Sequence, residues 1–239
     1  MTETIRLTPT KVEEATQIVE QLATSIPEQW DGRACLLELR AADFQWRQME
    51  WIGWWFEWKA RSALAGSLGG TLGVRVGNTT FDYQLQFVWD LKAHVVKPTG
   101  KDWAILNDSA AIREVIVRIG GWGAILCCGD AALDPTGEFK RWHDDLKGGA
   151  SKYERERLQR GAPSRTRKRS FSVREYRAIH LDLPLIEVGF EEGWLAPFQQ
   201  GMRNADGSAR AQKFMIDLRS RGSQQATLVH RRVNERSLP

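Results

Sequence analysis

The sequence predicts an α/β fold with a mixed central sheet flanked by helices, and three observations support it. The chain has 239 residues of which 42% are hydrophobic, which is enough to fill a core. Helical periodicity marks the first part of the chain, and alternating strand patterns follow it. After these strands, helical and strand segments alternate along the chain, as expected of a mixed α/β architecture. We expect a single domain over residues 1–239.

The first part of the chain predicts helices. Residues 9–25 form a helical pattern in which Thr10 can cap the N-terminus, with Glu13 three residues later. Residues 34–64 predict one long helix or two. Four tryptophans of this segment follow the spacing of one helical face, namely Trp51, Trp54, Trp55 and Trp58. This stripe indicates core or a subunit interface rather than a base-stacking surface.

The middle of the chain predicts strands that become mixed with helices. Alternation, a Gly-Asn turn and Gly or Pro at the ends mark the strands, and polar caps mark the helices. The predicted strands are 73–77, 79–86, 87–96 and 122–128, and the predicted helices are 107–119 and 136–147.

Beyond residue 150 the pattern is less regular. Residues 151–160 are compatible with a helix, residues 161–170 predict a loop, and residues 176–183 and 185–190 predict strands. The polar tail after Gly201 gives no organised pattern.

Charge is distributed unevenly along the chain. Residues 1–60 carry six Lys and Arg against ten Asp and Glu, whereas residues 151–180 carry ten against three and residues 201–239 carry eight against three. A concentrated basic region favours a polyanionic partner such as DNA or RNA, and a solvated basic face is the alternative.

Composition also limits the cellular setting. The sequence contains no run of 18 apolar residues, so it predicts no membrane span. The N-terminus also lacks the pattern of a secretory signal. The three cysteines form neither a disulfide framework nor a metal-type CxxC motif. We therefore expect no membrane partner and a cytoplasmic location.

The most informative local pattern is FDYQLQFVWDLK, which covers two predicted strands. Asp90 and Lys92 are two positions apart, so their side chains project from one face of a strand. A hairpin can bring Asp82 beside Asp90, and the two carboxylates then share a proton or hold a hard cation. Mg²⁺ suits such ligands because it prefers oxygen, and a nearby lysine can act on the attacking water. A solvent-facing ladder of ion pairs is the alternative.

This pattern resembles the PD-(D/E)XK nuclease superfamily at Asp82, Asp90, Leu91 and Lys92. Phe81 stands where the family commonly has proline, and seven residues separate the two aspartates. The resemblance covers a catalytic core of about 45–128, where the order helix–β–β–β–α–β matches the family. It implies a restriction-endonuclease-like core, Mg²⁺ as cofactor, and Asp82, Asp90 and Lys92 as catalytic residues.

Members of this superfamily often complete the metal site with an acidic residue on the helix before the strands. Glu57 and Glu50 are the candidates, and Glu57 is favoured because it lies in the apolar sequence WWFEWK. The alternative for Glu57 is an ion pair with Arg61, one helical turn later.

A basic segment of about 151–180 is predicted to recognise DNA. Arginine can contact guanine edges, whereas lysine and serine mainly contact phosphates. The candidate contact residues lie mostly on the predicted loop and are Lys152, Ser164, Arg165, Arg167, Lys168 and Arg169. A solubilising loop is the alternative.

Together these features predict a Mg²⁺-dependent endodeoxyribonuclease similar to type II restriction enzymes. It is expected to cut double-stranded DNA at a short sequence as a homodimer, because two-fold DNA symmetry matches two-fold protein symmetry. The alternatives are a repair, resolvase or mobile-element nuclease with the same core, and a non-catalytic nucleic-acid-binding protein.

Overall fold

The computed structural model describes residues 10–162, 166–204 and 207–233. The helices are α1 (Lys11–Ser25), α2 (Gly32–Ala41), α3 (Trp51–Ser67), α4 (Ser109–Ile119), α5 (Glu138–Leu146), α6 (Lys152–Gln159) and α7 (Leu183–Glu191). The strands are β1 (Gln29–Asp31), β2 (Thr71–Val76), β3 (Thr79–Gln84), β4 (Val88–Val95), β5 (Trp103–Asp108), β6 (Trp122–Leu133), β7 (Lys168–Leu181), β8 (Leu195–Phe198), β9 (Lys213–Asp217) and β10 (Thr227–Arg232). A 3₁₀ helix covers Gly222–Ala226.

The described residues form a seven-stranded mixed sheet with the order β1-β7-β6-β4-β3-β2, in which β10 also pairs with β7. Strands β4 and β6 are parallel, and the other pairs of this sheet are antiparallel. Between β4 and β6 the chain forms β5 and α4, which is the crossover that a parallel pair requires. Strands β5, β9 and β8 form a second, antiparallel sheet.

Each face of the central sheet is covered by its own hydrophobic core. Helices α1, α2 and α3 supply one core, and α4, α7 and the second sheet supply the other. The predicted class, a mixed central sheet flanked by helices, is therefore confirmed. Trp51 and Trp55 of the tryptophan stripe are buried in the first core, whereas Trp54 and Trp58 are half-buried at its edge.

Local signals placed several elements correctly. Thr10 and Glu13 form the predicted capping box at the start of α1. The predicted strands around the Gly-Asn turn are β2 and β3, and the next predicted strand is β4. The segment over 34–64 contains two helices, α2 and α3, separated by a break.

Other predictions were wrong or incomplete. Residues 185–190 form most of α7 instead of a strand, because Asp182 accepts a hydrogen bond from the Leu185 N–H and Pro184 occupies the first turn. The predicted loop over 161–170 ends early, since β7 begins at Lys168. The sequence analysis missed β5 and did not organise the tail that contains β9 and β10.

The described part of the chain contains no helix that is both long enough and apolar enough to cross a membrane.

Candidate active site

The hairpin of β3 and β4 opens at the predicted acidic residues. Tyr83 pairs with Trp89 and Gln84 pairs with Val88, and no pair is formed beyond them toward Asp82. The Asp82 Oδ2 atom instead accepts a hydrogen bond of 2.7 Å from the Leu91 N–H. The Asp82 carboxylate therefore lies between β3 and β4, at the point where the two strands separate.

A buried glutamate of α1 holds the turn of this hairpin. Glu14 accepts hydrogen bonds from the N–H groups of Gln86 and Phe87, both at 3.1 Å, and from the Trp89 indole at 2.7 Å. These bonds satisfy the donors of the turn and fix the beginning of β4. Since Asp90 directly follows Trp89, they also fix the position of the site.

Asp90 and Lys92 lie together, as strand alternation predicts. The Lys92 Nζ atom is 2.7 Å from Asp90 Oδ2, and Asp90 is only 1% exposed. The Asn107 side chain, at the end of β5, donates a second hydrogen bond of 3.2 Å to the same oxygen. Asp90 is thus buried and Lys92 is half-buried, whereas a solvent-facing ladder would leave both exposed.

Glu57 approaches this pair from α3. Its carboxylate forms the alternative ion pair with Arg61 at 3.1 Å, and it also interacts electrostatically with Asp90 and Lys92. Burial, opposed by Arg61, raises the pKa of Glu57. Glu50 is exposed at the N-terminal boundary of α3. The structure therefore brings Glu57, rather than Glu50, to the two aspartates.

Negative charge exceeds positive charge at the aspartates. Burial raises the pKa of Asp82 to about 9, and the neighbouring charges of Asp90 and Glu57 add to this effect. Burial alone would lower the pKa of Lys92, but the three carboxyl groups outweigh it and the pKa is raised. Asp82 consequently holds a proton at neutral pH, and Lys92 remains an ammonium ion.

The described residues contain no ready-made group of three or more His, Cys, Asp or Glu side chains that could hold a metal ion. At the two aspartates, Lys92 contacts Asp90, and the raised pKa of Asp82 favours its protonated form. The chemistry of the donors nevertheless fits a hard divalent cation, because Asp82, Asp90 and Glu57 offer only oxygen atoms. Such an ion would take over the role of the Asp82 proton.

Two neighbouring polar residues were missed as site residues. Asn107 is the first residue of the predicted helix over 107–119, whereas in the structure Asp108 caps α4 and Asn107 contacts Asp90. Lys213 of β9 is paired in register with Asp108, and burial and the charge of Lys92 lower its pKa. No local pattern could place Lys213, because it comes from the unorganised tail.

A cleft of about 770 Å³ lies beside these residues. It is bounded by the start of α3, by β4 and β5, and by the segment that leads into β7. Its charged or titratable lining residues are Glu50, Glu57, Lys92, His94, Lys97, Arg167 and Lys168. His94 is held by Asp102, with 2.9 Å between its Nε2 atom and Asp102 Oδ1.

The structure separates the predicted DNA-contacting residues. Arg167 and Lys168 line the cleft, and Arg167 is buried rather than displayed on a loop. Arg169 is exposed and lines a different cavity, because side chains alternate along the start of β7. Lys152 is exposed and lies 3.8 Å from Glu156. Ser164 and Arg165 lie outside the described residues.

Comparisons with protein-family models, with curated proteins and with solved structures gave no match for this chain.

Proposed function

We propose that this protein is a Mg²⁺-dependent endodeoxyribonuclease that cuts double-stranded DNA at a specific short sequence, as type II restriction enzymes do. One observation carries the proposal. The site contains more carboxyl groups than neighbouring cations, namely those of Asp82, Asp90 and Glu57. Lys92 lies among them at the wall of a cleft. A buried excess of carboxylates is costly unless a proton or a cation compensates it.

The proposed roles follow from the positions of these side chains. Asp82, Asp90 and Glu57 would hold the ion, whose chemistry there would be Lewis-acid activation of the phosphodiester and of the attacking water. Lys92 lies 2.7 Å from Asp90 and is open to the cleft. Its ammonium group can orient the attacking water and stabilise the negative charge that develops on the phosphate oxygens.

The DNA part of the proposal is supported by the cations of the cleft. Lys97, Arg167 and Lys168 line it and can contact a phosphate backbone. Action as a homodimer in the cytoplasm completes the proposal, because cutting both strands of a palindrome calls for two sites related by a two-fold axis. Sedimentation at several protein concentrations tests the dimer.

Digestion of plasmid and phage DNA, followed by sequencing of the ends, tests the function. We expect identical ends at one short sequence with Mg²⁺, no cutting in EDTA, and binding without efficient cutting in Ca²⁺. Ends that cluster at branched or mismatched DNA would indicate a repair or resolvase enzyme. Full cutting in excess EDTA would exclude the metal site, and binding without any cutting would indicate a non-catalytic protein.

A further inference from the structure

Arg167 is a buried arginine that forms no salt bridge with any of the described residues. It is 8% exposed and lies in the wall of the cleft, directly before β7. Its Nε and Nη1 atoms are fully buried, and neither has a hydrogen-bond partner among residues 10–162, 166–204 and 207–233. Two other partly buried arginines are paired, since Arg61 contacts Glu57 and Arg177 contacts Glu175, whereas the Nε atom of Arg157 also has no hydrogen-bond partner among the described residues.

The backbone around Arg167 is held firmly. Its carbonyl oxygen accepts a hydrogen bond of 2.8 Å from the Asp134 N–H, and the next carbonyl, that of Lys168, accepts one of 2.7 Å from the Trp51 indole. These contacts attach the segment to α3 and to the end of β6. The backbone that carries Arg167 is thus held in place before any ligand arrives, which lowers the cost of binding.

An unpaired buried guanidinium is unfavourable for the folded protein. Arginine remains charged at all physiological pH values, so it cannot lose its proton as a buried lysine can. Buried polar groups are nearly always hydrogen-bonded, and an exception in a cleft points to an absent partner. That partner must be an acceptor, and the planar guanidinium favours phosphate or carboxylate oxygens.

We propose that Arg167 and Lys168 form a phosphate subsite in the cleft wall, distinct from the carboxylate cluster around Asp90. The subsite takes a phosphate group of the nucleic acid, and in this respect the inference rests on the proposed function. Lys168 supplies a second cation on the same wall. Glu57 and Lys92 of the proposed active site line the same cleft as Arg167 and Lys168, so one substrate strand can contact both.

Binding measured without divalent metal tests the subsite independently of cleavage. The variants are Arg167→Gln and Arg167→Lys, and the matched control is Arg118→Gln, which removes an exposed arginine of α4 that pairs with Glu114. In EDTA, we expect Arg167→Gln to weaken binding of a mixed-sequence duplex roughly tenfold or more. The slope of log affinity against log salt should become shallower by about one. Arg167→Lys should retain part of the duplex affinity and part of the salt dependence.

Two further measurements separate ligand binding from folding. Without ligand, Arg167→Gln should melt at a temperature equal to or above that of the wild type, because it removes a buried unpaired charge. Inorganic phosphate should raise the melting temperature of the wild type and of Arg118→Gln but not that of Arg167→Gln. A response to inorganic phosphate without any binding of DNA would support the subsite and assign it to free phosphate.

Several results would overturn the subsite. These are unchanged DNA affinity and salt slope in Arg167→Gln, an equal loss in Arg118→Gln, or a wild type that responds to neither DNA nor phosphate. A loss restricted to duplexes that contain guanine would assign Arg167 to base recognition instead. If the wild type cuts no DNA but Arg167→Gln still weakens DNA binding, the proposed cleavage is rejected and the subsite is retained.

Discussion

Two clusters of carboxylates and lysines are built into this molecule, and they differ in charge balance. At Asp144, Lys140 and Lys147 lie 2.8 and 2.7 Å from the carboxylate, and Lys140 is also 3.5 Å from Glu154. Although burial raises the pKa of Asp144, its hydrogen bonds with the two lysines outweigh burial and lower the pKa.

The cluster around Asp90 has the opposite balance. Lys92 pairs with Asp90 and Arg61 pairs with Glu57. Burial, together with the neighbouring charges of Asp90 and Glu57, raises the pKa of Asp82 to about 9. The chain therefore neutralises its acids fully at one place and leaves them short of positive charge at the other. The difference indicates that the first cluster stabilises the fold, and it supports the proposal that the second binds a cation.

The largest expected effect separates the two clusters by function. Lys92→Ala should reduce the cleavage rate by roughly 10²-fold or more and largely spare DNA affinity, because Lys92 acts on the water and the transition state. The matched control Lys140→Ala should destabilise the protein but cut normally per folded molecule. Single-turnover rates and DNA binding in Ca²⁺ measure both. Cleavage by Lys92→Ala within about threefold of wild type would show that the site assignment is wrong.

A second effect distinguishes the two glutamates of α3. Glu57→Gln should weaken metal-dependent activity by roughly 10- to 100-fold, because it removes a carboxylate next to Asp90. Glu50→Gln should have little effect, since Glu50 is exposed at the start of the helix. The Mg²⁺ concentration for half-maximal cleavage checks this. Equal losses in both variants would make Glu50 part of the site.

The pattern of the site could be predicted where its cause was local. Asp90 and Lys92 share a strand face because of the two-residue period, and Glu57 was found by its apolar neighbours on a helix. Asn107 and Lys213 were missed because the small sheet that carries them joins β5 to the distant β9. Such pairing depends on tertiary structure and leaves no signal at either residue.

Local composition also misled the prediction in two places. The apolar residues of 185–190 favoured a strand, but the Asp182 cap and Pro184 set the start of α7. The basic residues after 160 favoured an exposed loop. The structure instead buries Arg167 directly before β7. A strand begins at Lys168, and because adjacent side chains of a strand point to opposite faces, Arg169 lines another cavity than Lys168.

A third effect concerns stability without metal, where the two clusters should respond to pH in opposite directions. The folded pKa of Asp82, about 9, lies above its ordinary value of 3.8, so the folded state binds the extra proton between these values. Its contribution is full below about pH 4 and is lost as pH rises toward 9. The folded pKa of Asp144 is lowered, so its contribution is present above 3.8 and is lost as pH falls below that value.

Denaturant unfolding of two matched variants at several pH values measures this difference. At pH 7, Asp144→Asn should lower the free energy of unfolding by roughly 1–3 kcal/mol. At pH 7, Asp82→Asn should leave the free energy of unfolding unchanged or raise it. The same variant should also reduce the loss of this free energy between neutral pH and pH 9. Destabilisation of similar size in both variants would mean that the two clusters do not differ in charge balance.

The smallest expected effect tests a positioning residue. Asn107→Ala removes the hydrogen bond to Asp90 Oδ2 but no charge, so cleavage should fall by about tenfold or less. The Mg²⁺ requirement should shift in the same direction, and Asn107→Asp should not restore activity because it adds a fourth carboxyl group. An unchanged rate and Mg²⁺ requirement in Asn107→Ala would remove this residue from the site.

Calorimetric titration with Mg²⁺ tests whether the cluster at Asp82, Asp90 and Glu57 binds a divalent cation, as the proposed function requires. Titration in two buffers of different ionisation enthalpy also counts protons. At pH 7 we expect one ion to bind with release of a proton, because the ion replaces the proton of Asp82. Asp82→Asn should bind more weakly and release no proton, and Asp144→Asn should behave as wild type. Absence of binding to the wild type, or equal binding and proton release in Asp82→Asn, would contradict the account.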